Sequence, residues 1–278
     1  MKLLVALIIS LFFLFCTKET SVTTDNSQWL VLTEEDISGS RQHTKHAEIF
    51  GKYVDGYNKY ILKGIDKVQS TAMDGGGYFI GKDSIPTESP LGYDIKFLGR
   101  PLLDAPRTTS YCSGSSFGAF IEGLNFIFEN KDKKIEDKQY YALRMQEKDG
   151  GRREDHVEFW GEWNADGYGN HFALAQYSGM GTRIKPNQAR PGDFLNISWK
   201  SGLGHSVVFL GWYKDKEEKK HLMYWSSQRA TNGYSDQIVP LDKIKEAMFV
   251  RLTNPERIFS FEPGKKVDTE VKGDIIDW

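Results

Sequence analysis

The stretch TTSYCSGSSFGAFIEGLNFIFE, from Thr108 to Glu129, decides how the rest of the chain is read, because it sets a cysteine where a helix begins. Downstream of Cys112, the residues Phe117, Phe120, Ile121, Leu124, Ile127 and Phe128 recur at spacings of three and four, the pattern of an amphipathic helix burying one face. Thr109 or Ser110 can cap it, and Ser113 and Gly114 suit its first turn. A thiol there feels unpaired backbone N–H groups and the positive end of the helix dipole, which lower a cysteine pKa from about 8.5 to roughly 3.5–7.5. Such a thiol is a nucleophile at neutral pH. The same letters suit a small buried hydrophobe, since free cysteines are among the most buried residues. The helix alone does not choose between the two.

The 278 residues allow one domain with elaborations or two small ones. A net charge of −2, with no run of Lys and Arg among aromatics, gives nucleic-acid binding no electrostatic footprint. Aromatic content is 13%, and with seven Trp some are expected to line a groove for sugar or peptide. The N-terminus pairs Lys2 with an apolar run from Leu3 to Phe15, too short for a comfortable membrane span and right for a signal peptide. Cys16 ends that run and a polar segment follows. The layout resembles a bacterial lipoprotein signal, which implies export, lipidation of Cys16 and a tether on the outer side of a membrane, at the cell envelope. Segment 1–16 is then the signal with its lipidation cysteine and 17–28 a flexible tether. If Cys16 carries lipid, Cys112 is the only remaining thiol and has no partner for an internal disulfide. A lone thiol kept in an exported chain favours a reactive Cys112.

Taken in order, Gln28 to Glu35 reads as a short strand or extended arm, and Arg41 to Val68 as one or two support helices. His43 and His46 are three apart there; with no further ligand nearby in sequence, they read as a solvated helix face rather than a metal site. Gly76 to Lys82 imitates the start of a phosphate-binding loop, but Asp83 stands where Ser or Thr is needed and no helix can open at DSIPTESP. A strand is expected at Tyr93 to Leu98, and a polar helix at Ile135 to Lys148. His156 and Glu158 lack the paired cysteines of a zinc deaminase, and NADGYGN lacks a calcium-loop pattern. Trp160, Trp163 and Tyr168 read as core in preference to a substrate wall. His171 to Tyr177 looks helical. Phe194 to Trp199 is a strand, SGLG a tight loop, and His205 opens the strand HSVVFLGW, which returns through a charged turn into HLMYWSSQ as an antiparallel meander. A hairpin symmetric about that turn sets Trp212 opposite His221 and His205 opposite Gln228, whose carbonyl could accept the Nδ1 proton of the imidazole; Ser226 is the reserve and Ser227 the result of a one-residue slip.

Three pieces, YCSGSSF, RPGDFLNI and GHSVVFLGW, resemble in order and context the D-C-S-G-F, P-G-D-L and H-V-G-I-Y-L-G segments of the NlpC-type papain-like cell-wall peptidases and the related CHAP amidases. The likeness spans roughly residues 108–240; Tyr111 replaces the usual Asp before the cysteine, and the gap to the P-G-D strand is long. The resemblance implies an α+β papain-like fold over 108–262, with an insertion near 131–188. A helical and loop elaboration at 29–107 precedes it and a tail at 263–278 follows. It implies Cys112 as nucleophile and His205 as its base; the hairpin register adds Gln228 to orient the imidazole, and Ser113 and Tyr111 beside the cysteine are read as support for the oxyanion and the site. The substrate implied is an amide in peptidoglycan stem peptides, cut as an endopeptidase or an amidase. No metal or other cofactor is implied. Two other readings stay open: a non-catalytic surface lipoprotein binding wall or host material, and acyl transfer or lipid hydrolysis on the same Cys–His pair.

Overall fold

The computed structural model describes residues 29–39, 41–80, 90–105, 107–144 and 158–278. In chain order the elements are α1 (Glu34–Ile37), α2 (His46–Phe50), α3 (Asn58–Ser70), β1 (Ile95–Phe97), β2 (Arg100–Leu103), α4 (Cys112–Phe128), α5 (Asp137–Leu143), α6 (Glu158–Trp163) and α7 (Gly169–His171), which runs on as a π-helical turn to Tyr177. Then come β3 (Gly181–Ile184), β4 (Phe194–Trp199), β5 (Gly204–Lys214), β6 (Lys220–Gln228), β7 (Gly233–Pro240) and β8 (Ile244–Leu252). The fold is α+β with antiparallel sheets. Strands β4 to β6 form the expected meander, β7 extends it by one strand, and β8 crosses back to pair with the free edge of β4, giving the order β3-β8-β4-β5-β6-β7.

Helix α4 starts at Cys112, as the sequence indicates, but it is not a one-faced surface helix. Thirteen of its seventeen residues are buried, so it runs through the core and meets protein on nearly every side. Phe117 and Phe120 pack against Phe159, Trp163 and Phe194, with ring centroids 5.1–6.3 Å apart. On its other side α4 lies against α3, and glycine makes that approach possible: a Cβ on Gly64 would stand 2.2 Å from the carbonyl oxygen of Ala119. Residues of α2 and α3 (Phe50, Ile61, Leu62, Ile65, Val68) therefore share one apolar cluster with α4, and the 29–107 segment is part of the main core rather than an appendage.

The strand β5 is buried along both faces because the sheet lies between two cores. Val208 and Leu210 face α4, while Val207, Phe209 and Trp212 face a second cluster with Leu195, Ile197 and Phe249. Trp29 and Trp278 cover that second cluster, each within 5.8 Å of the Trp212 ring. The expected loose tail at 263–278 is thus docked: Asp274 exchanges two backbone hydrogen bonds with Ala247, and the N–H of Gly273 donates to the Tyr168 hydroxyl. The short strand or extended arm expected at Gln28 to Glu35 is, from Trp29 on, an arm held by a single bridge between Val31 and Trp212 and then α1, whose N-cap Thr33 and Asp36 bond each other reciprocally. The helix expected at 135–148 is α5 as far as Leu143; its expected end, His156, and the expected signal and tether with Cys16 lie outside the described residues.

The β5–β6 register differs from the symmetric expectation near the turn, where Trp212 faces Leu222 and Tyr213 faces His221. Leu210 then forms a bulge, after which Phe209 faces Tyr224 and Val208 faces Trp225. Counting three more residues along each strand from Val208 and Trp225 sets His205 across from Gln228, so the extra residue returns the pairing to the expected alignment.

Candidate active site

Cys112 is the first residue of α4, with Tyr111 as an extended N-cap. No cap side chain bonds the helix start, so Thr109 and Ser110 do not perform the expected role. The helix is instead sewn to the sheet by hydroxyls. Ser116 Oγ lies 2.8 Å from Ser206 Oγ, Ser115 Oγ lies 3.2 Å from Ser226 Oγ and receives the N–H of Ser227 at 3.0 Å, and Ser110 Oγ donates to Ser227 Oγ at 2.8 Å. Small residues on both sides let the helix start come this close to β5 and β6, and their buried hydroxyls satisfy one another. Ser226, held as a reserve partner for the imidazole, is fully buried and donates to the Ser206 carbonyl at 2.9 Å; Ser227 faces Ser110. Neither is bonded to His205.

The close approach brings Cys112 and His205 into the wall of one cavity of about 160 Å3, together with Tyr111, Ser113, Trp163, Asn164, Asp166 and Asn196. Gln228 Oε1 lies 3.5 Å from His205 Nε2, at the long limit of a hydrogen bond, and is aimed there because its amide nitrogen donates to Thr231 Oγ1 at 2.8 Å and to the Ser235 carbonyl at 3.2 Å. The partner nitrogen is Nε2 and not the expected Nδ1, which leaves Nδ1 as the ring nitrogen that Gln228 does not hold. Ser113 turns its hydroxyl to Asn164 Oδ1, and its carbonyl accepts from Trp163 Nε1 at 3.1 Å; its main-chain N–H, not its side chain, is what faces the thiol. Tyr111 is buried and its N–H is bonded to the Pro90 carbonyl at 3.2 Å.

The electrostatics depart from the sequence reading. Burial pushes the Cys112 thiol above its ordinary value, although the N–H groups of Ser206, Ser113 and Cys112 itself pull the other way. Burial beside Trp199 and Tyr224 depresses His205 to about 4, with Gln228 opposing it weakly. Both side chains keep part of their surface open at the cavity mouth, yet the atoms packed behind them dominate their solvation. The resting pair is neutral thiol and neutral imidazole, and the helix start does not generate a standing thiolate.

Trp160, Trp163 and Tyr168 are core, as expected, although Trp163 also reaches the cavity wall. Asn164 and Asn196 were not singled out by sequence; Asn164 lies in the NADGYGN stretch weighed only as a calcium loop, and Asn196 faces the helix because it alternates with Leu195 and Ile197. The His43 and His46 reading is overturned: His46 is fully buried between two carboxylates, Asp66 on α3 and Asp236 on β7, each at 2.7 Å. Burial alone would depress its imidazole, but Asp236 and Asp66 hold it up at about 9. Asp236 is 190 residues away in the chain, so no local pattern pointed to it. Compared with known proteins, the chain matches no family model, no curated protein and no solved structure.

Proposed function

We propose that the protein is a thiol hydrolase of papain-like architecture that cleaves an amide in the peptide part of peptidoglycan, held at the cell envelope by lipid on Cys16. The observation that carries this reading is the shared cavity: a cysteine opening a core helix and a histidine opening a sheet strand line one opening, with Gln228 behind the imidazole. The substrate class rests on the three resembling segments and the export signal.

The chemistry follows from a neutral pair. As Cys112 Sγ bonds the carbonyl carbon, its proton passes to His205 Nδ1, and the carbonyl oxygen takes up the π-electron pair facing the N–H groups at the start of α4. Collapse breaks the C–N bond, and the leaving amine departs with the proton from His205. A water then gives a proton to His205 while its oxygen attacks the thioester, and Cys112 leaves and is reprotonated. Gln228 keeps Nε2 protonated so that Nδ1 is the basic nitrogen throughout. The buried, hydroxyl-lined seam behind the pair keeps the helix start fixed against β5 while charge moves.

Digestion of purified peptidoglycan by the wild type and by Cys112→Ala, with fragments read by mass, tests the proposal. New amino termini are expected from the wild type alone, and fragment masses separate peptidase from amidase. If neither protein releases fragments and both bind the wall equally, the chain is a wall-binding lipoprotein instead.

A further inference from the structure

Away from the cavity, four titratable side chains from three elements meet. Asp236 on β7 presents one carboxylate oxygen to His46 Nε2 at 2.7 Å and the other to His43 Nε2 at 3.1 Å. On the far side of His46, Asp66 receives Nδ1–H at 2.7 Å and the main-chain N–H groups of His46 and Ala47 at 2.8 and 2.9 Å, so that carboxylate is fixed at the start of α2. A cavity of about 240 Å3 with His43 and Asp236 in its wall opens beside the group. Candidate ligand atoms of His43, His46 and Asp236 all lie within 4.8 Å of one another.

We propose that His43, His46 and Asp236 form a binding site for one divalent ion of the zinc class, with Asp66 as the outer carboxylate that orients His46. Two imidazoles and a carboxylate are a donor set suited to such ions. Bonds of about 2.0–2.2 Å set neighbouring donors of a tetrahedral ion roughly 3.3 Å apart, close to the two imidazole–carboxylate separations of 2.7 and 3.1 Å already present. An imidazole bonded through Nδ1–H to a carboxylate, with Nε2 turned to the ion, is the usual outer arrangement of a ligating histidine. Binding rearranges the protons: on His46 the ion takes the place of the Nε2 proton, which leaves to solvent while the Nδ1–H bond to Asp66 stays, and on His43 the ring proton moves from Nε2 to Nδ1, which gives up the bond it accepts from the Lys45 N–H at 3.1 Å. One movement is required. The two imidazole planes are 24° from parallel with centroids 4.3 Å apart, so their lone pairs converge only when one ring turns. His46 is clamped between two carboxylates and against Phe50, whereas His43 is partly exposed ahead of α2 beside the cavity, and it is the ring that turns. The cavity side leaves the fourth position to water, and the ion would tie the 41–50 segment to the sheet edge.

The test is titration of the full chain with Zn2+ against a chromophoric chelator near neutral pH, and with Co2+ read by visible absorption. One equivalent of Zn2+ is expected, with a higher unfolding midpoint, and tetrahedral Co2+ d–d bands free of a thiolate charge-transfer band. His43→Ala is expected to bind at least about tenfold more weakly while keeping the wild-type circular dichroism, and Asp66→Asn to weaken binding by about 10- to 100-fold. Absence of stoichiometric binding by folded wild type, equal affinity in His43→Ala, or a thiolate band that assigns the ion to Cys112 would each overturn the site. These readouts do not involve hydrolysis, so they stand or fall apart from the proposed activity.

Discussion

If Cys112 rests as a thiol, its alkylation must depend on pH in a way that a preformed thiolate would not. Burial holds the thiol above its ordinary value and the imidazole down at about 4, so near neutral pH both groups are uncharged and thiolate forms only as solvent base removes the thiol proton. An ordinary thiol is about 3% ionised at pH 7, and Cys112 falls below that. We expect the rate of iodoacetamide labelling at Cys112, followed by peptide mapping so that Cys16 is counted separately, to climb about tenfold per pH unit from roughly pH 6 to 9. His205→Ala should leave that profile unchanged within about twofold, because the imidazole is not what ionises the thiol at rest. A labelling plateau between about pH 5 and 8 that vanishes in His205→Ala would refute the reasoning and restore a standing ion pair.

Removing the amide behind the imidazole, as Gln228→Ala, should lower kcat by about 10- to 100-fold with KM little changed and move the His205 titration further down, since Gln228 opposes the burial shift; an unaltered NMR titration of the ring would remove Gln228 from the site. Gly64→Ala should destabilise by about 2–4 kcal/mol in denaturant unfolding, because its Cβ overlaps the Ala119 carbonyl and the helix-propensity gain of about 1 kcal/mol is smaller; a neutral result would mean that α3 and α4 are less closely packed. His46→Ala, which leaves Asp66 and Asp236 without their shared cation, should cost about 3–5 kcal/mol by the same measurement. His205, depressed from 6.5 to about 4 in the folded state, takes a proton more readily in the unfolded chain, so stability should fall between pH 6.5 and 4. His46, raised to about 9, contributes fully throughout that window and loses its contribution only as pH rises from 6.5 through 9. Urea unfolding at both ends should show a smaller decline in His205→Gln than in wild type, and equal slopes would contradict the depressed imidazole.

Much of the half that carries Cys112 and His205 was legible because it is local. The start of α4 follows from Cys112 ahead of a three-and-four apolar spacing, and β4, β5 and β6 follow from apolar runs punctuated by Pro191, Gly192 and the KDKEEKK turn. The facing of His205 and Gln228 came from two departures that cancel: the turn is one residue off symmetry, and the Leu210 bulge corrects it. What could not be read is long-range. The ionisation of Cys112 depends on how deeply the helix start is packed, and a dipole argument made from the helix alone gives it the wrong sign. The surroundings of His46 depend on Asp66 and Asp236, which arrive from other elements, and the docking of Asp274 and Trp278 depends on a sheet face that exists only once β8 has returned beside β4.

The bulge at Leu210 divides the β5–β6 hairpin into two stretches with different offsets, one holding the charged turn and one holding His205 and Gln228. Such a division makes the hairpin tolerant in one direction and brittle in the other. Lengthening the exposed turn around Lys216 to Lys219 alters the outer stretch and leaves the inner one seated on α4 through Ser206 and Ser226. Deleting one residue between Phe209 and Gly211 joins the two offsets, and then either Trp212 leaves the second core or the imidazole slides one position past its amide. For grafting or library design on this scaffold, turn length is a free variable and the bulge is not.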